Sequence, residues 1–408
     1  MTKPPKGWRI ERLDKLAEIQ TGIAKGAQKE TPVVSLPYLR VANVQDGHVN
    51  LSEMKTIEVP ERKVDRYLLR RGDLLLTEGG DFDKLGRGCI WHGQVEPCVH
   101  QNHVFAVRVT SSQLRNDFLE KLTASPWGRR YFRSCSKQST NLASVNTSQL
   151  KAFPVLLPPL AEQRRIAAIL GAWEIVTEKL QRLIVAKSAR LGTLRRQLLH
   201  GTRRFPKCGR LKWRRVQLSE VLKHIFRSVN WSPIEVYRLI SIRRRCGGLF
   251  RREDLRGADY KTTDLHELRT GDFLVSKRQV VHGAWGMVTR EFSGCHVSKE
   301  YSILVNRAPE VLHMPFFDWL CHEQRMWHLA FLASDGVHRE KLIFDSKDFL
   351  RHYIELPPTI EEQQRIVEVL DACDQEIRLL EAELEALKQQ KRGLMQKLLT
   401  GEVRVKTK

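Results

Sequence analysis

The chain has 408 residues, 41% of them hydrophobic, with 69 Lys and Arg against 47 Asp and Glu, a formal net charge of +22. This size suggests two or three domains with sizeable cores, and the basic excess indicates a polyanionic partner, nucleic acid before a membrane surface, unless it is only a solvated, repulsive surface. Neither a membrane-spanning run nor a secretory signal is visible, and eight Cys are too few for a disulfide scaffold, so we expect a cytoplasmic protein.

Residues 1–156 form the first predicted globule, of mixed α and β character. Residues 103–109 are typical of a strand, residues 116–132 of an amphipathic helix, and Gly72-Asp73 of a turn into a strand. Side chains that can contact base edges or phosphates stand in its predicted loops. The candidate DNA contacts here are Asn43, Gln45, Asp81, Lys84 and Arg87.

Residues 157–201 form a predicted central helical arm. Pro158-Pro159 marks its start and Gly201 its end. Apolar residues recur at alternating spacings of four and three, which predicts a coiled-coil seam interrupted by Thr177 and Lys187. The seam residues are Ile166, Leu170, Trp173, Leu180, Ile184, Leu191, Leu194 and Leu198.

Residues 202–355 form the second predicted globule, again of mixed α and β character. Residues 301–305 resemble a strand and residues 316–334 an amphipathic helix. The basic segment 201–217, which joins it to the first arm, contacts phosphates or is a plain solvated linker, and the sequence does not choose between them. The candidate DNA contacts here are Arg243, Arg244, Arg245, Lys277, Arg278 and Gln279.

Residues 356–408 form a second helical arm with the same seam, in which Lys391 is the polar exception. Its seam residues are Ile366, Leu370, Cys373, Ile377, Leu380, Leu384, Leu387, Leu394 and Leu398. Residues 162–201 align without a gap on residues 362–401, and 12 of the 40 positions are identical. The chain is therefore a tandem repeat of globule and helix, in which the globules have diverged more than the helices.

Charge favours pairing of the two arms within one chain. Residues 162–200 carry eight basic and three acidic groups, net +5, whereas residues 361–400 carry six basic and nine acidic groups, net −3. Opposite net charges favour unlike pairs, and the intervening globule favours an antiparallel arrangement. We predict an antiparallel coiled coil with pseudo-two-fold symmetry, the alternative being that each arm packs on its own globule.

Catalytic motifs are missing. The sequence holds neither a phosphate-binding GxxxxGK[ST] loop nor a polar residue followed by Pro-Pro-aromatic, which adenine methylation requires. Cys89, His92, Cys98, His100 and His103 lie close in sequence, but their spacing fits no standard zinc pattern. Only Cys98 recurs, as Cys295, so we interpret it as a core residue and predict neither a catalytic nor a metal site.

The features of the two arms, above all LPPLAEQRRIAAIL (157–170) and LPPTIEEQQRIVEVL (356–370), resemble the specificity subunit of type I restriction–modification systems over essentially the whole chain. The resemblance implies an α+β fold in which two α/β target-recognition domains each contact one half of a bipartite site on double-stranded DNA. It implies that the helices set the gap between half-sites and dock two methyltransferase subunits.

The same resemblance implies a chain that is not itself an enzyme and binds no cofactor. S-adenosylmethionine would be bound by the methyltransferase subunits, and ATP and Mg by restriction subunits, if those are present. Two other functions stay open. A stand-alone DNA-binding regulator would bind specifically without a methyltransferase, and an enzyme with an unrecognised site would act alone.

Overall fold

The computed structural model describes residues 4–24, 26, 32–80, 85–135, 137–139, 142–206, 211–260, 262–338 and 341–406. These residues form two compact units. Unit 1 comprises Met1–Arg182 and Glu381–Lys408, and unit 2 comprises Leu183–Leu380. Both boundaries fall inside long helices, so each unit contains the first half of one long helix and the second half of the other.

The globule of unit 1 is built from short strands and helices. Its strands are β1 (Arg9–Arg12), β2 (Ala17–Thr21), β3 (Val33–Leu39), β4 (Lys55–Pro60), β5 (Leu74–Thr77), β6 (Gly79–Gly80), β7 (Gly88–Ile90), β8 (Val99–His100), β9 (Val104–Val109), β10 (Lys137–Ser139), β11 (Leu142–Ser144) and β12 (Pro154–Leu157). Its helices are α1 (Val64–Tyr67), α2 (Asn116–Ala124), α3 (Pro126–Cys135) and α4 (Thr147–Lys151), and the long helix α5 (Leu160–Leu199) follows.

The globule of unit 2 is built in the same way. Its strands are β13 (Arg214–Gln217), β14 (Leu222–Ile225), β15 (Val236–Ile242), β16 (Leu249–Arg256), β17 (Leu265–Glu267), β18 (Phe273–Ser276), β19 (Trp285–Met287), β20 (His296–Ser298), β21 (Tyr301–Asn306), β22 (Ser334–Asp335), β23 (Ile343–Phe344) and β24 (Tyr353–Leu356). Its helices are α6 (Leu218–Val221), α7 (Met314–Leu320), α8 (Gln324–Leu332) and α9 (Ser346–Leu350), and the long helix α10 (Ile360–Thr400) follows.

The two globules repeat one antiparallel sheet. The strand order is β2-β9-β5-β7 in unit 1 and β14-β21-β18-β19 in unit 2. A Gly-Asp turn leads into the third strand of each sheet, and the glycine has a left-handed φ, +93° at Gly72 and +88° at Gly271. The aspartate is buried in both turns and accepts a hydrogen bond from the backbone three residues earlier. The two predicted Gly-Asp turns are therefore held by hydrogen bonds from the backbone to a buried aspartate within each globule.

A second sheet lies in each globule, with order β4-β3-β8 in unit 1 and β16-β15-β20-β17 in unit 2. A two-stranded ladder, β1 with β12 or β13 with β24, joins the first strand of each globule to the strand that precedes the long helix. In unit 1, β11 pairs with both β10 and β6, and in unit 2, β22 pairs with β23. The helix repeat is thus accompanied by a repeat of the whole globule.

Each long helix starts directly after a Pro-containing turn and ends before a glycine with left-handed φ, +65° at Gly201 and +73° at Gly401. The helices have 40 and 41 residues and are each about 60 Å long. None of the predicted seam residues is exposed. Among the described residues, no helix has the length and apolar character needed to cross a bilayer.

The packing inside each unit shows that the long helices run antiparallel. In unit 1, Ile166 and Leu170 at the start of α5 share a core with Leu398 at the end of α10. In unit 2, Leu198 at the end of α5 shares a core with Ile366 at the start of α10. The predicted fold class is confirmed in these features: mixed α and β globules in tandem, each followed by a long helix, with the helices paired antiparallel.

Candidate nucleic-acid interface and helix junctions

Each long helix begins with a Glu-Gln pair, and the two side chains of the pair make different contacts. Gln163 accepts a hydrogen bond from the Arg115 backbone N–H at 2.9 Å, and its side-chain amide donates to the Gln113 carbonyl at 2.8 Å. Gln363 makes the same two contacts, with His313 N–H at 2.8 Å and the Val311 carbonyl at 2.9 Å. In each unit the glutamine therefore fixes the start of the helix to the connection that leaves β9 or β21.

The glutamate of the same pair binds an arginine that follows the other long helix. In unit 1, Arg404 pairs with Glu162, with Nε at 2.9 Å from Oε2, and the Trp8 indole donates to the same carboxylate at 3.2 Å. In unit 2, Arg204 pairs with Glu362 in a two-point contact of 2.9 and 2.8 Å. We call each set, of a helix-opening glutamate and the arginine after the other helix, a junction.

Sequence reasoning missed the two junction arginines. Arg204 and Arg404 lie three residues beyond Gly201 and Gly401, so they hold the same offset of 200 as the helices. Extending the gapless alignment by three positions would have found them. Both arginines are thus parts of the compact units, Arg204 of unit 2 and Arg404 of unit 1.

The two lysines that interrupt the predicted seams each meet a glutamate of the other helix. Lys391 lies 3.0 Å from Glu174 in unit 1, and Lys187 lies 2.7 Å from Glu376 in unit 2. Half-buried charges at seam positions favour the alignment in which each finds its partner and disfavour the others. The interruptions in the apolar pattern therefore specify the pairing register.

Glu174 also belongs to a charge network with α2. The Lys121 ammonium lies 2.6 Å from both Glu120 and Glu174. Burial by itself lowers the pKa of Lys121, but the two carboxylates outweigh it and the pKa is raised. Burial likewise acts to raise the pKa of Glu174, while Lys121 and Lys391 outweigh it and hold the pKa below its usual value. The network ties the globule of unit 1 to both long helices.

In unit 2 the predicted basic loops meet at one end of the β14-β21-β18-β19 sheet. Lys277, Arg278 and Gln279 follow β18 directly. The backbone N–H of Arg245 donates to the His282 carbonyl at 2.8 Å, so the turn after β15 packs on the turn after β18. The structure brings together two sets of residues that stand more than thirty positions apart.

The three arginines of the turn after β15 are exposed. The Arg243 guanidinium lies over the Phe250 ring, 4.6 Å from its centroid, and Arg245 has a left-handed φ of +57°. In the neighbouring turn, Arg278 forms an exposed ion pair with Glu300 at 2.6 Å, whereas Gln279 is half-buried. Cationic groups thus dominate this surface.

Strand β16 extends the basic surface, which the sequence analysis did not predict. Its exposed Arg251, Arg252 and Arg256 lie on the edge strand of the second sheet, and a bulge interrupts its pairing with β15. The hairpin from 236 to 256 contains seven arginines and two acidic residues. The density of arginine across the whole hairpin was the available signal.

In unit 1 the corresponding loops have a different chemistry. Gln45 accepts a hydrogen bond from Arg87 at 3.2 Å, and Arg87 also donates to the Val41 carbonyl at 3.2 Å. Asp46 forms an ion pair with Arg129 at 2.8 Å. Paired charges and amides therefore replace the arginine-rich surface of unit 2.

Asn43 lies inside its loop and not at the surface. It is 3% exposed, and its side-chain amide donates to the carbonyls of Asn50 and Glu53 while its oxygen accepts from the Arg40 N–H. Contact with a base would break these bonds, so the structure gives Asn43 a role in shaping the loop. The predicted contacts Asp81 and Lys84 lie outside the described residues.

Cys98 and Cys295 occupy equivalent positions in the two globules. Both side chains are fully buried, as expected of core residues. Burial raises the pKa of Cys98 to about 12 and also raises that of Cys295. His100 is buried as well, with its pKa lowered to about 4 by burial. Within the described ranges, no group of three or more His, Cys, Asp or Glu is arranged to hold a metal ion.

Comparison with known proteins shows what this chain is similar to. Residues 5–184 match the family model of the type I restriction modification DNA specificity domain. A Methanocaldococcus jannaschii protein named for the MjaX type I restriction enzyme specificity subunit is 24% identical, covering 99% of this chain and 95% of that protein.

Solved structures share the fold over nearly the whole chain. The HsdS subunit from Thermoanaerobacter tengcongensis gives a TM-score of 0.52 at 20% identity, covering 98% of this chain and 99% of that one. A chain from a study of complex assembly and conformational transition in a type I R-M system gives 0.61 at 19% identity, covering 99% and 100%. The predicted resemblance to type I restriction–modification specificity subunits is confirmed.

Proposed function

We propose that each globule contacts one half of a bipartite, asymmetric DNA site and that the paired long helices set the gap between the halves. The observation that carries this proposal is the repeat of one sheet in two units with different loop chemistry at its end. Arg243, Arg245 and Lys277 in unit 2, and Gln45 and Arg87 in unit 1, are the proposed contacts. Different side chains at equivalent loops favour different half-sites.

Most of these basic side chains would contact phosphates and fix the position of the duplex, whereas a few would contact base edges. The net charge of +22 supports a phosphate-dominated affinity that falls as salt rises. Within the basic segment 201–217, Arg204 belongs to a junction. Residues 207–210 of this segment lie outside the described ranges.

We further propose that the helices form part of the docking surface for two methyltransferase subunits. The faces opposite the seam support this, because Ile175, Val185 and Leu379 are apolar and about half or more exposed. In this assembly the chain is not catalytic and binds no cofactor. S-adenosylmethionine belongs to the methyltransferase subunits, and ATP and Mg belong to restriction subunits where these are present.

The test is genome-wide mapping of N6-methyladenine in a host with this gene and its neighbouring methyltransferase gene, against the same host lacking only this gene. The proposal expects a bipartite motif that disappears with the gene. An unchanged map, with the methyltransferase shown to be active, would contradict it. Specific DNA binding by the purified chain without any methyltransferase would then favour a stand-alone regulator.

A further inference from the structure

Phe226 is an apolar side chain in an unusual place. It follows β14 directly and is 69% exposed, although burial of a phenylalanine side chain normally stabilises the folded protein. Strand β14 pairs with β21 through Ile225 and Ile303, and β18 pairs with β21 through Ser276 and Tyr301. Because β14 and β18 both run antiparallel to β21, Phe226 leaves the sheet at the same end as Lys277.

Two imidazoles hold the Phe226 ring from its sides. The ring centroid lies 4.5 Å from that of His224, with an interplanar angle of 63°, and 5.8 Å from that of His266, with an angle of 53°. His266 is itself 5% exposed and His224 is half-buried. The ring is therefore supported at its base by the two imidazoles and projects from the end of the sheet.

Charges of both signs lie near this ring, and the acidic one at His266 is Asp264, whose carboxylate lies 3.4 Å from the imidazole. Burial lowers the pKa of His224, and the nearby Lys277 and Lys347 lower it further, whereas Asp345 opposes them. Lys347 is exposed at the start of α9. An exposed aromatic ring with Lys277 and Lys347 nearby matches a partner that offers both a flat apolar face and phosphates, as a nucleotide does.

We propose that Phe226 inserts at a base step of the half-site contacted by unit 2 and stacks on an unstacked base. His224 and His266 position the ring, and Lys277 and Lys347 contact the flanking phosphates. Apolar wedges of this kind unstack a step and bend the duplex. Flexible pyrimidine–purine steps resist this least, so Phe226 adds sequence preference without a hydrogen bond to a base. This inference rests on the proposed function and names one specificity-determining residue within it.

The test uses the full chain in complex with its methyltransferase and a duplex carrying the methylated motif, with 2-aminopurine placed in turn at each position of the half-site. We expect one position to brighten on binding because its base is unstacked. Phe226→Ala removes this signal and weakens specific binding by about tenfold to a hundredfold, the range for loss of one stacked aromatic. Phe226→Tyr keeps the signal and binds within about threefold of the wild type.

Tyr353→Ala is the matched control, because Tyr353 is also an exposed aromatic of unit 2 and its ring lies 4.4 Å from the Arg215 guanidinium. It is expected to leave both DNA readouts unchanged. Unaltered affinity and emission in Phe226→Ala would overturn the inference, as would loss of methyltransferase binding with DNA affinity intact. If the wild type methylates no motif, the proposed function itself fails, which separates that failure from one confined to Phe226.

Discussion

Glu162 and Arg404 are separated by 242 positions in the chain and meet in a two-point ion pair. The carboxylate is buried, with a side chain 7% exposed, whereas the guanidinium is 41% exposed. Glu362 and Arg204 repeat the pair in unit 2 with less exposure on both sides, 1% and 16%. The two junctions therefore have the same chemistry in different degrees of burial.

This difference predicts unequal costs of removing the two glutamates. Glu362→Ala removes the carboxylate that pairs with the mostly buried Arg204 guanidinium and is expected to lower the free energy of unfolding by about 3–5 kcal/mol. Glu162→Ala leaves an arginine that water can reach, and the expected loss is about 1–3 kcal/mol. Denaturant unfolding monitored by circular dichroism measures both. Equal losses would contradict the role of burial.

Glu178→Ala is the control for that pair of variants. Glu178 forms an exposed ion pair with Arg182 one helical turn away, so its removal is expected to cost only about 0.3–0.5 kcal/mol. A large loss in this variant would mean that any charge change on α5 destabilises the helix pair.

The charge network at Glu174 predicts a pH dependence. Its carboxyl pKa is lower in the folded state than the ordinary value of about 4.3, so the ionised form stabilises the fold above that pH. This contribution is lost as pH falls from about 4.3 through the folded pKa. The difference in unfolding free energy between the wild type and Glu174→Gln should be constant above about pH 5 and shrink below it. A difference that is flat from pH 3 to 7 would contradict the network.

The paired helices predict how the DNA motif responds to length. Deleting residues 178–184 from α5 together with 380–386 from α10 removes one heptad from each helix and leaves the Glu174–Lys391 and Lys187–Glu376 pairs in place. The helix pair shortens by about 10 Å, which corresponds to about three base pairs, and the gap in the methylated motif should shorten accordingly. Methylome mapping measures the gap, and an unchanged gap would contradict the proposed role of the helices.

The one-sided deletion serves as the control for this experiment. Removing residues 178–184 alone shifts the second half of α5 against α10, so that Lys187 no longer faces Glu376. Methylation of any motif is then expected to be lost. The paired deletion should retain more methylation than the single deletion because it preserves the seam on both helices.

The exposed arginines of unit 2 predict a change in salt dependence. If Arg243 and Arg245 each neutralise one phosphate, the double variant Arg243→Ala/Arg245→Ala should reduce the slope of log K against log salt concentration by about two. Titration of a labelled duplex at several salt concentrations measures the slope. Arg182→Ala, which removes an arginine 78% exposed on α5, should leave it unchanged. An unaltered slope in the double variant would mean that neither Arg243 nor Arg245 contacts a phosphate.

Helix positions were predictable from the sequence because their signal is local and repeated. The Pro-Pro pairs and the spacing of four and three locate α5 and α10 within a few residues, and the opposite net charges favour their pairing. The partners of Lys187 and Lys391 were not predictable, because a cation in an apolar stripe does not reveal which acid it will meet. Strand order was also out of reach, since the strands of three or four residues carry little periodicity.

The candidate surface was predictable only in part. Arg243, Arg244 and Arg245 form a run that is visible without a structure, and they are exposed. Asn43 has the same residue type as a typical base contact, but tertiary packing turns it inward, which no local pattern shows. Phe226 resembles an ordinary strand residue in sequence, and only its exposure at the end of the sheet distinguishes it.

The contacts of Gln163 and Gln363 have a consequence for how such chains diversify. Both side chains bind main-chain N–H and carbonyl groups of the globule, so these contacts are indifferent to which side chains the globule carries at those points. A foreign globule whose connection presents the same two peptide groups would fit the same helix. Under the proposed function, new DNA preferences can therefore arise by exchange of a whole globule, while the two long helices are inherited unchanged.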